Sequence, residues 1–341
     1  MKKIIALLLA LTMVFALAAC AKQTTETPAT ETTTTPETTT TEENTTTEET
    51  PAAETTEAAD LKVGVFYYTF ADTYISSVRT ALDAQLDSLG VAYQNFDGNN
   101  NQTTQNEQID RFLSLDYDVL CVNLVDRTDA AHVIDKARSA DVPVVFFNRE
   151  PVQEDLQTWD RVYYVGSDAR QSAQLQAQIV LDKWEEDPAS LDLNGDGVLQ
   201  YVMLEGESRH QDAMIRTEVS VQALKDGGIP LERVDGGIAN WDRNQAAALT
   251  EGYFERYPDL ELILCNNDDM ALAAARTAKD NPNYAKTIFL GFDGQKSAVE
   301  AVLNGELTMT AAQNNFDIGY KAVETIVKIL NGEEYGDVDT G

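Results

Sequence analysis

The chain has 341 residues, and its 57 Asp and Glu against 25 Lys and Arg leave a formal net charge of −32. An acidic balance this strong, with no basic cluster against it, argues against nucleic acid as a partner and is indifferent to neutral ligands.

The first residues address the protein. Met1-Lys2-Lys3 is a basic start, Ile4 to Ala16 is an apolar run, and Leu17-Ala18-Ala19-Cys20 closes it with small residues before a cysteine. The apolar run is too short for a stable transmembrane helix and reads as a secretory signal over residues 1–20. The Leu-Ala-Ala-Cys ending resembles a bacterial lipobox, which would make Cys20 the lipidated N-terminus and hold the protein to the outside of the cell membrane. Residues 21–60 are Thr, Glu, Pro and Ala with almost nothing larger and apolar. Such a segment cannot bury enough surface to offset its ordering entropy, so a disordered, self-repelling tether is expected.

From residue 61 onward short apolar runs alternate with helical patterns. Val63–Tyr67, Val119–Leu124, Val142–Phe147, Val162–Val165, Gln200–Leu204, Leu260–Cys265 and Ile288–Phe292 read as strands. Helical periodicity covers Asp72–Leu89, Gln105–Leu115, Ala130–Ala140, Arg170–Glu185, Asp212–Gly227, Arg243–Arg256, Ala271–Lys279 and Lys296–Leu303. Strands buried on both faces and separated by helices predict an α/β protein with doubly wound parallel sheets, and about 280 residues suffice for two lobes. Cys121 and Cys265 fall inside strands, where cysteine acts as a small hydrophobe, so no disulfide and no thiol chemistry is expected.

One loop has the spacing of a calcium site. Asp192, Asn194, Asp196 and Gln200 stand at positions 1, 3, 5 and 9, Gly197 at the sharp turn of position 6, and Val198 can offer its carbonyl at position 7. Position 12 is Met203, whose thioether is no ligand for a hard cation, and a strand follows instead of a helix. Either the stretch is an Asp/Asn/Gly turn that binds nothing, or Ca2+ is completed by a carboxylate distant in sequence.

Ligands of doubly wound sheets sit beyond the carboxyl ends of the strands. Those positions hold Tyr68, Asp72 and Tyr74, then Asn148, then His210, Asp212 and Arg216, then Trp241, Asn266, Asn267 and Asp268, Asp293, and finally Gln313 and Asn314. Each has an ordinary alternative as a helix cap or packing group. Together they are the planar amides, carboxylates and aromatics that grip and cover a polyhydroxyl ring.

Several segments are similar to the glucose/galactose-binding branch of the type I periplasmic binding proteins, which serve sugar ABC transport and chemotaxis. They are Val63-Gly64-Val65 with Tyr68 and Asp72, Val144 to Pro151, Tyr163 to Asp168, Asp192 to Gly197, His210 to Ala213, Asn266 to Asp268, and Gly291 to Asp293. The resemblance runs in register from about Leu61 to about Gly332. It implies two lobes, 61–167 plus 314–341 and 168–313, joined by three crossing segments, with a pyranose between them. Tyr74 and Trp241 would stack on the two ring faces. Asp72, Asn148, His210, Asp212, Arg216, Asn267, Asp293 and Gln313 would hydrogen-bond its hydroxyls. Glu261 would supply the missing bidentate carboxylate for calcium. A monomer delivering glucose or galactose to an ABC permease, or serving a chemoreceptor without a transporter, is the implied setting. The chain departs from the family pattern at Tyr74, where phenylalanine is usual, at Gln313, where asparagine is usual, and in ending at Gly341 before the expected last strand and third crossing.

Other classes fit less well. A glycosidase would need an acid and a second carboxylate across a scissile bond. Asp72, Asp212 and Asp293 offer carboxylates, yet nothing selects an acid among them, and no nucleophile elbow or phosphate loop is present. A non-enzyme is expected. A transcriptional regulator of the same fold would need a helix-turn-helix where this chain has a lipobox and tether.

Overall fold

The computed structural model describes residues 61–333. Cys20, the expected tether and residues 334–341 lie outside the described residues. Two five-stranded sheets, parallel throughout, carry the architecture.

The first sheet takes β1 (Lys62–Tyr67), β2 (Ala92–Asp97), β3 (Val119–Val122), β4 (Val144–Phe147) and β5 (Val162–Val165) in the order β2-β1-β3-β4-β5. Side-chain alternation splits its core in two. Val63, Val65, Tyr67, Cys121, Val145 and Phe147 face one side, packed on Ile75, Val78, Leu82 and Leu86 of α1 (Thr73–Leu89). Phe66, Leu120, Val122, Val144 and Phe146 face the other, against α2 (Gln102–Leu113) and α3 (Ala130–Ala140). Central strands covered on both faces must be apolar at every position, which is why β3 (Val-Leu-Cys-Val) and β4 (Val-Val-Phe-Phe) read as continuous runs. Gly64 lets α2 approach: a Cβ there would come within 2.2 Å of the Phe112 ring.

A one-turn helix, α4 (Gln153–Leu156), precedes β5, after which 166–168 cross to the second lobe. There α5 (Ala169–Glu186), β6 (Leu199–Glu205), α6 (Gln211–Asp226), β7 (Leu231–Ile238), α7 (Arg243–Arg256), β8 (Leu262–Cys265), α8 (Asp268–Ala278), β9 (Ile288–Asp293), α9 (Lys296–Leu303) and β10 (Met309–Ala312) build a sheet of order β10-β9-β8-β6-β7. The chain then returns through Gln313 and Asn314 to α10 (Asn315–Leu330), whose Ile318, Ala322, Val323 and Ile326 pack into the first lobe beside α1. The described residues thus contain two of the three crossings that the resemblance implies.

Five elements escaped the sequence reading: β2, β7, β10, the one-turn α4 and α10. The three strands lie at sheet edges. Their residues alternate or mix polar and apolar (Ala-Tyr-Gln-Asn-Phe-Asp in β2, Leu-Glu-Arg-Val-Asp-Gly-Gly-Ile in β7), because only part of each is covered. The last element among the described residues is the amphipathic α10, which the sequence reading did not include. Cys121 and Cys265 are free and buried, as their strand positions imply. Among the described residues no helix is long and apolar enough to cross a membrane.

Gly64→Ala should force the Phe112 ring out of its place and lower the stability of the first lobe by about 1–3 kcal/mol. Urea denaturation measures it, and adding Phe112→Leu to Gly64→Ala should recover part of the loss.

Candidate functional site

The crossovers bring the carboxyl ends of both sheets face to face, and a cavity of about 350 Å³, counting its open mouth, lies between them. The first lobe lines it with Tyr68, Asp72, Tyr74, Ile75, Asn148 and Arg149. The second lobe and its return crossing add His210, Asp212, Arg216, Trp241, Asn267, Asp293 and Gln313. Every ligand residue implied by the resemblance therefore borders one cavity, although those residues span the chain from 72 to 313.

Local backbone explains how each side chain gets there. Asp72 is the N-cap of α1: one carboxylate oxygen accepts from the Ile75 amide at 2.7 Å and the other from the Tyr68 hydroxyl at 2.7 Å. Asn267 likewise caps α8, accepting from the Met270 amide at 3.0 Å. The structural role expected of such residues and a place in the cavity are here combined. Asn148, Trp241 and Asp293 have φ of 61°, 63° and 113°, in the left-handed region that L-residues rarely adopt. Backbone strain of this kind persists where the surroundings over-determine it, and in this chain it aims three side chains into the cavity. Gly206, just past β6, leaves room for the indole: a Cβ there would meet the Trp241 ring at 2.2 Å. Trp241 in turn packs edge-on against His210, with ring centroids 4.9 Å apart.

Burial sets the protonation states. It pushes the Asp72 and Asp212 carboxyls up, and it pushes Asp293 well up, with the nearby Asp268 carboxylate adding to the effect. Asp268 itself is pushed to about 7, chiefly by burial. His210 is held well below the usual range by burial and by Arg149, Arg216 and Arg127, so its imidazole is neutral near pH 7. Arg216 bonds Asp212 at 3.2 Å and the Asn266 carbonyl at 2.9 Å, and lies 3.9 Å from Asp293. Gln313 is engaged at both ends: its amide donates to Asp293 at 2.8 Å and its oxygen accepts from Ser167 at 2.6 Å, tying the two crossings together. Five buried polar atoms of cavity residues have no hydrogen-bond partner: Tyr74 Oη, Arg149 Nε, His210 Nδ1, Arg216 Nε and Trp241 Nε1.

Tyr68, one of the strand-exit candidates, also lines the cavity, whereas Arg149 and Gly206 belong to the site's surroundings and were not expected as site residues. Arg149 immediately follows Asn148 at the exit of β4, and Gly206 immediately follows β6. Position past a strand was the available signal, but only contacts reveal what each does.

The loop 192–200 folds back on Glu261. One Glu261 oxygen accepts from the amides of Leu193 (2.5 Å) and Asn194 (3.4 Å), the other from Gln200 (2.9 Å). Asp192 accepts from the amides of Gly195, Asp196 and Gly197, and Asp196 from Val198 and the Gln200 side chain. The hard oxygen donors thus share one loop, and oxygens already accepting from an amide retain lone pairs. Among the described residues no group of three or more His, Cys, Asp or Glu converges as a metal-ligand cluster. Glu261, distant in sequence, lies against the loop, and the observed contacts are those of a tightly hydrogen-bonded turn.

Comparison with known proteins agrees with this architecture. A family model for the periplasmic binding protein domain matches residues 63–334. The D-galactose/methyl-galactoside binding periplasmic protein of Haemophilus influenzae is 33% identical over 277 residues, covering 80% of this chain and 83% of its own. The ribose import binding protein of Bacillus subtilis is 22% identical over 275 residues, covering 81% and 83%. Among solved structures, an ABC transporter solute binding protein from Bacillus halodurans with bound myo-inositol superposes with a TM-score of 0.72 at 26% identity, over 83% of this chain and 93% of that one. With two parallel-sheet lobes facing each other across a polar cavity, and with the family match spanning nearly all of the described residues, this chain belongs to the periplasmic binding protein family and has its two-lobed type I fold.

Proposed function

We propose that this protein is an extracytoplasmic solute-binding lipoprotein that captures one hexose, glucose or galactose, between its lobes and delivers it to an ABC transporter. The observation that carries the reading is the cavity lining: carboxylates, amides and a neutral imidazole from both lobes, two aromatic rings, and buried polar atoms of His210, Arg216 and Trp241 left without partners. A polyhydroxyl ring supplies both donors and acceptors, and so satisfies buried groups of both kinds, while its apolar faces suit Tyr74 and Trp241. The galactose-binding relative supports a hexose, and the ribose-binding relative makes a pentose the competing ligand.

A hydrolytic role is disfavoured by how the carboxylates are used. Asp72 accepts from Tyr68 and Ile75, Asp212 pairs with Arg216, and Asp293 accepts from Gln313. These are the fixed acceptors of a binding site, and the relatives compared are binding proteins.

Calorimetric titration with glucose, galactose, ribose, xylose and arabinose tests the reading. One hexose should bind at micromolar affinity or tighter, and Trp241→Ala should weaken it by about 2–4 kcal/mol through lost stacking and desolvation. Tight ribose binding with none to either hexose would replace the hexose by a pentose.

We also propose that Ca2+ occupies the loop, held by Asp192, Asn194, Asp196, the Val198 carbonyl, Gln200 and Glu261. Binding to the native state alone would stabilise the second lobe by mass action. EDTA should therefore lower the melting midpoint of the wild type but not of Glu261→Gln, whose calcium affinity should fall at least about tenfold, or 1.4 kcal/mol. An unchanged wild-type midpoint in EDTA would mean that the loop is a bare turn.

Attachment through Cys20 completes the proposal, with a chemoreceptor as an additional partner in place of or beside the permease. Cells fed a labelled fatty acid should label the wild type and leave Cys20→Ser unlabelled. Equal labelling of the two would remove the anchor.

A further inference from the structure

Several polar contacts join the two lobes around the cavity, and they differ greatly in burial. Arg209 of the second lobe reaches Asp126 at 3.1 Å with a side chain 71% exposed. Arg243, 48% exposed, pairs with Asp269 of its own lobe and donates to Thr73 across the gap. Contacts as exposed as these contribute little, because water competes for both partners. The contacts of Thr73 with Asp269, Arg127 with Gln211 and Gln211 with Glu150 are partly buried. Among the described residues the most buried ion pair between the lobes is that of Arg149, on the first lobe, whose side chain is 4% exposed and which makes a bidentate pair with Glu207 on the loop after β6 of the second lobe, at 2.9 and 3.0 Å. Its Nη1 also donates to the Val125 carbonyl at 2.6 Å.

Arg149 has a second engagement within its own lobe. Its guanidinium lies 3.6 Å from the centroid of the Tyr68 ring, well inside cation–π range. Tyr68 is buried, and its hydroxyl donates to Asp72 at 2.7 Å. Glu207, Arg149, Tyr68 and Asp72 therefore form a continuous chain from one lobe, through the other, to a carboxylate that faces the cavity.

We propose that Arg149 is a positioning residue, which Glu207 locks against Tyr68 when the lobes close, so that Asp72 is fixed toward the bound sugar only in the closed state. The inference rests on the sugar-binding reading above. Its physical basis is selective desolvation. With the lobes apart, water reaches both the guanidinium and Glu207; with the lobes together, the guanidinium is buried and needs its counter-charge. Removing the charge at Glu207 therefore penalises the closed state and leaves the open one nearly untouched. Because a ligand leaves by way of opening, the loss should appear in the dissociation rate more than in the association rate.

Stopped-flow fluorescence with D-galactose and D-glucose, on the mature protein, tests this. Glu207→Gln should raise the dissociation rate of the hexose that binds by at least about tenfold. Its association rate should stay within about threefold, and its sugar-free melting midpoint should match the wild type, which a merely structural role would not leave in place. Tyr68→Phe, which keeps the ring under Arg149 and deletes the hydroxyl, should also speed dissociation. Combined, the two changes should give less than the product of their separate effects, because both break one chain. A normal dissociation rate in Glu207→Gln, with wild-type binding intact, would overturn the positioning role alone, and fully multiplicative effects would overturn the relay through Tyr68. A wild type that binds neither hexose would remove the hexose-binding reading and this inference with it.

Discussion

The cleft depends on burying charged and polar side chains between two lobes whose own cores are apolar. Asp212, Arg216, Asn267, Asp293 and Gln313 are all nearly inaccessible, and such groups are tolerated only when each has a partner. Arg216 serves Asp212, the Asn266 carbonyl and, more loosely, Asp293; Gln313 serves Asp293 and Ser167. Among the buried polar atoms left unpaired, those of Tyr74, Arg149, His210, Arg216 and Trp241 belong to residues that line the cavity. A neutral ligand rich in hydroxyls suits this remainder. An ionic one would have to fit among carboxylates that burial and mutual repulsion already push toward protonation.

The parallel sheet makes that arrangement possible. Because all strands of a lobe run the same way, their exits share one edge, and residues one or two past each strand converge whatever their separation in sequence. Asn267 after β8 and Asp293 at the end of β9 share one such edge for this reason, and Asn148 after β4 lies at the exit edge of the other sheet. The two crossings, at 166–168 and at Gln313–Asn314, then turn the exit edges of the two sheets toward each other. The Ser167–Gln313 bond joins one crossing to the other, so the strands that bridge the lobes also buttress Asp293.

Much of this was legible before any coordinates. Central strands such as β3 and β4 announce themselves because full burial on two faces demands unbroken apolar residues. The edge strands β2, β7 and β10 did not, since a half-covered strand keeps polar residues and resembles a loop. The amphipathic α10 was also missed, and its partner α1 lies more than two hundred residues earlier.

The sequence alone determined the α/β class, a length sufficient for two lobes, the polar and aromatic candidates at strand exits, and the oxygen-rich composition of the loop 192–200. These are properties of residue type and spacing, which burial and backbone chemistry impose locally. Only the tertiary structure decided which polar groups are already satisfied and which are free. That Gln313 is held between Ser167 and Asp293, that Gly206 clears space for the Trp241 indole, and that Arg149 joins Glu207 of the other lobe to Tyr68 and Asp72 are facts of three-dimensional proximity. No periodicity encodes them, because the partners lie on different elements and meet only when both sheets and both crossings are in place.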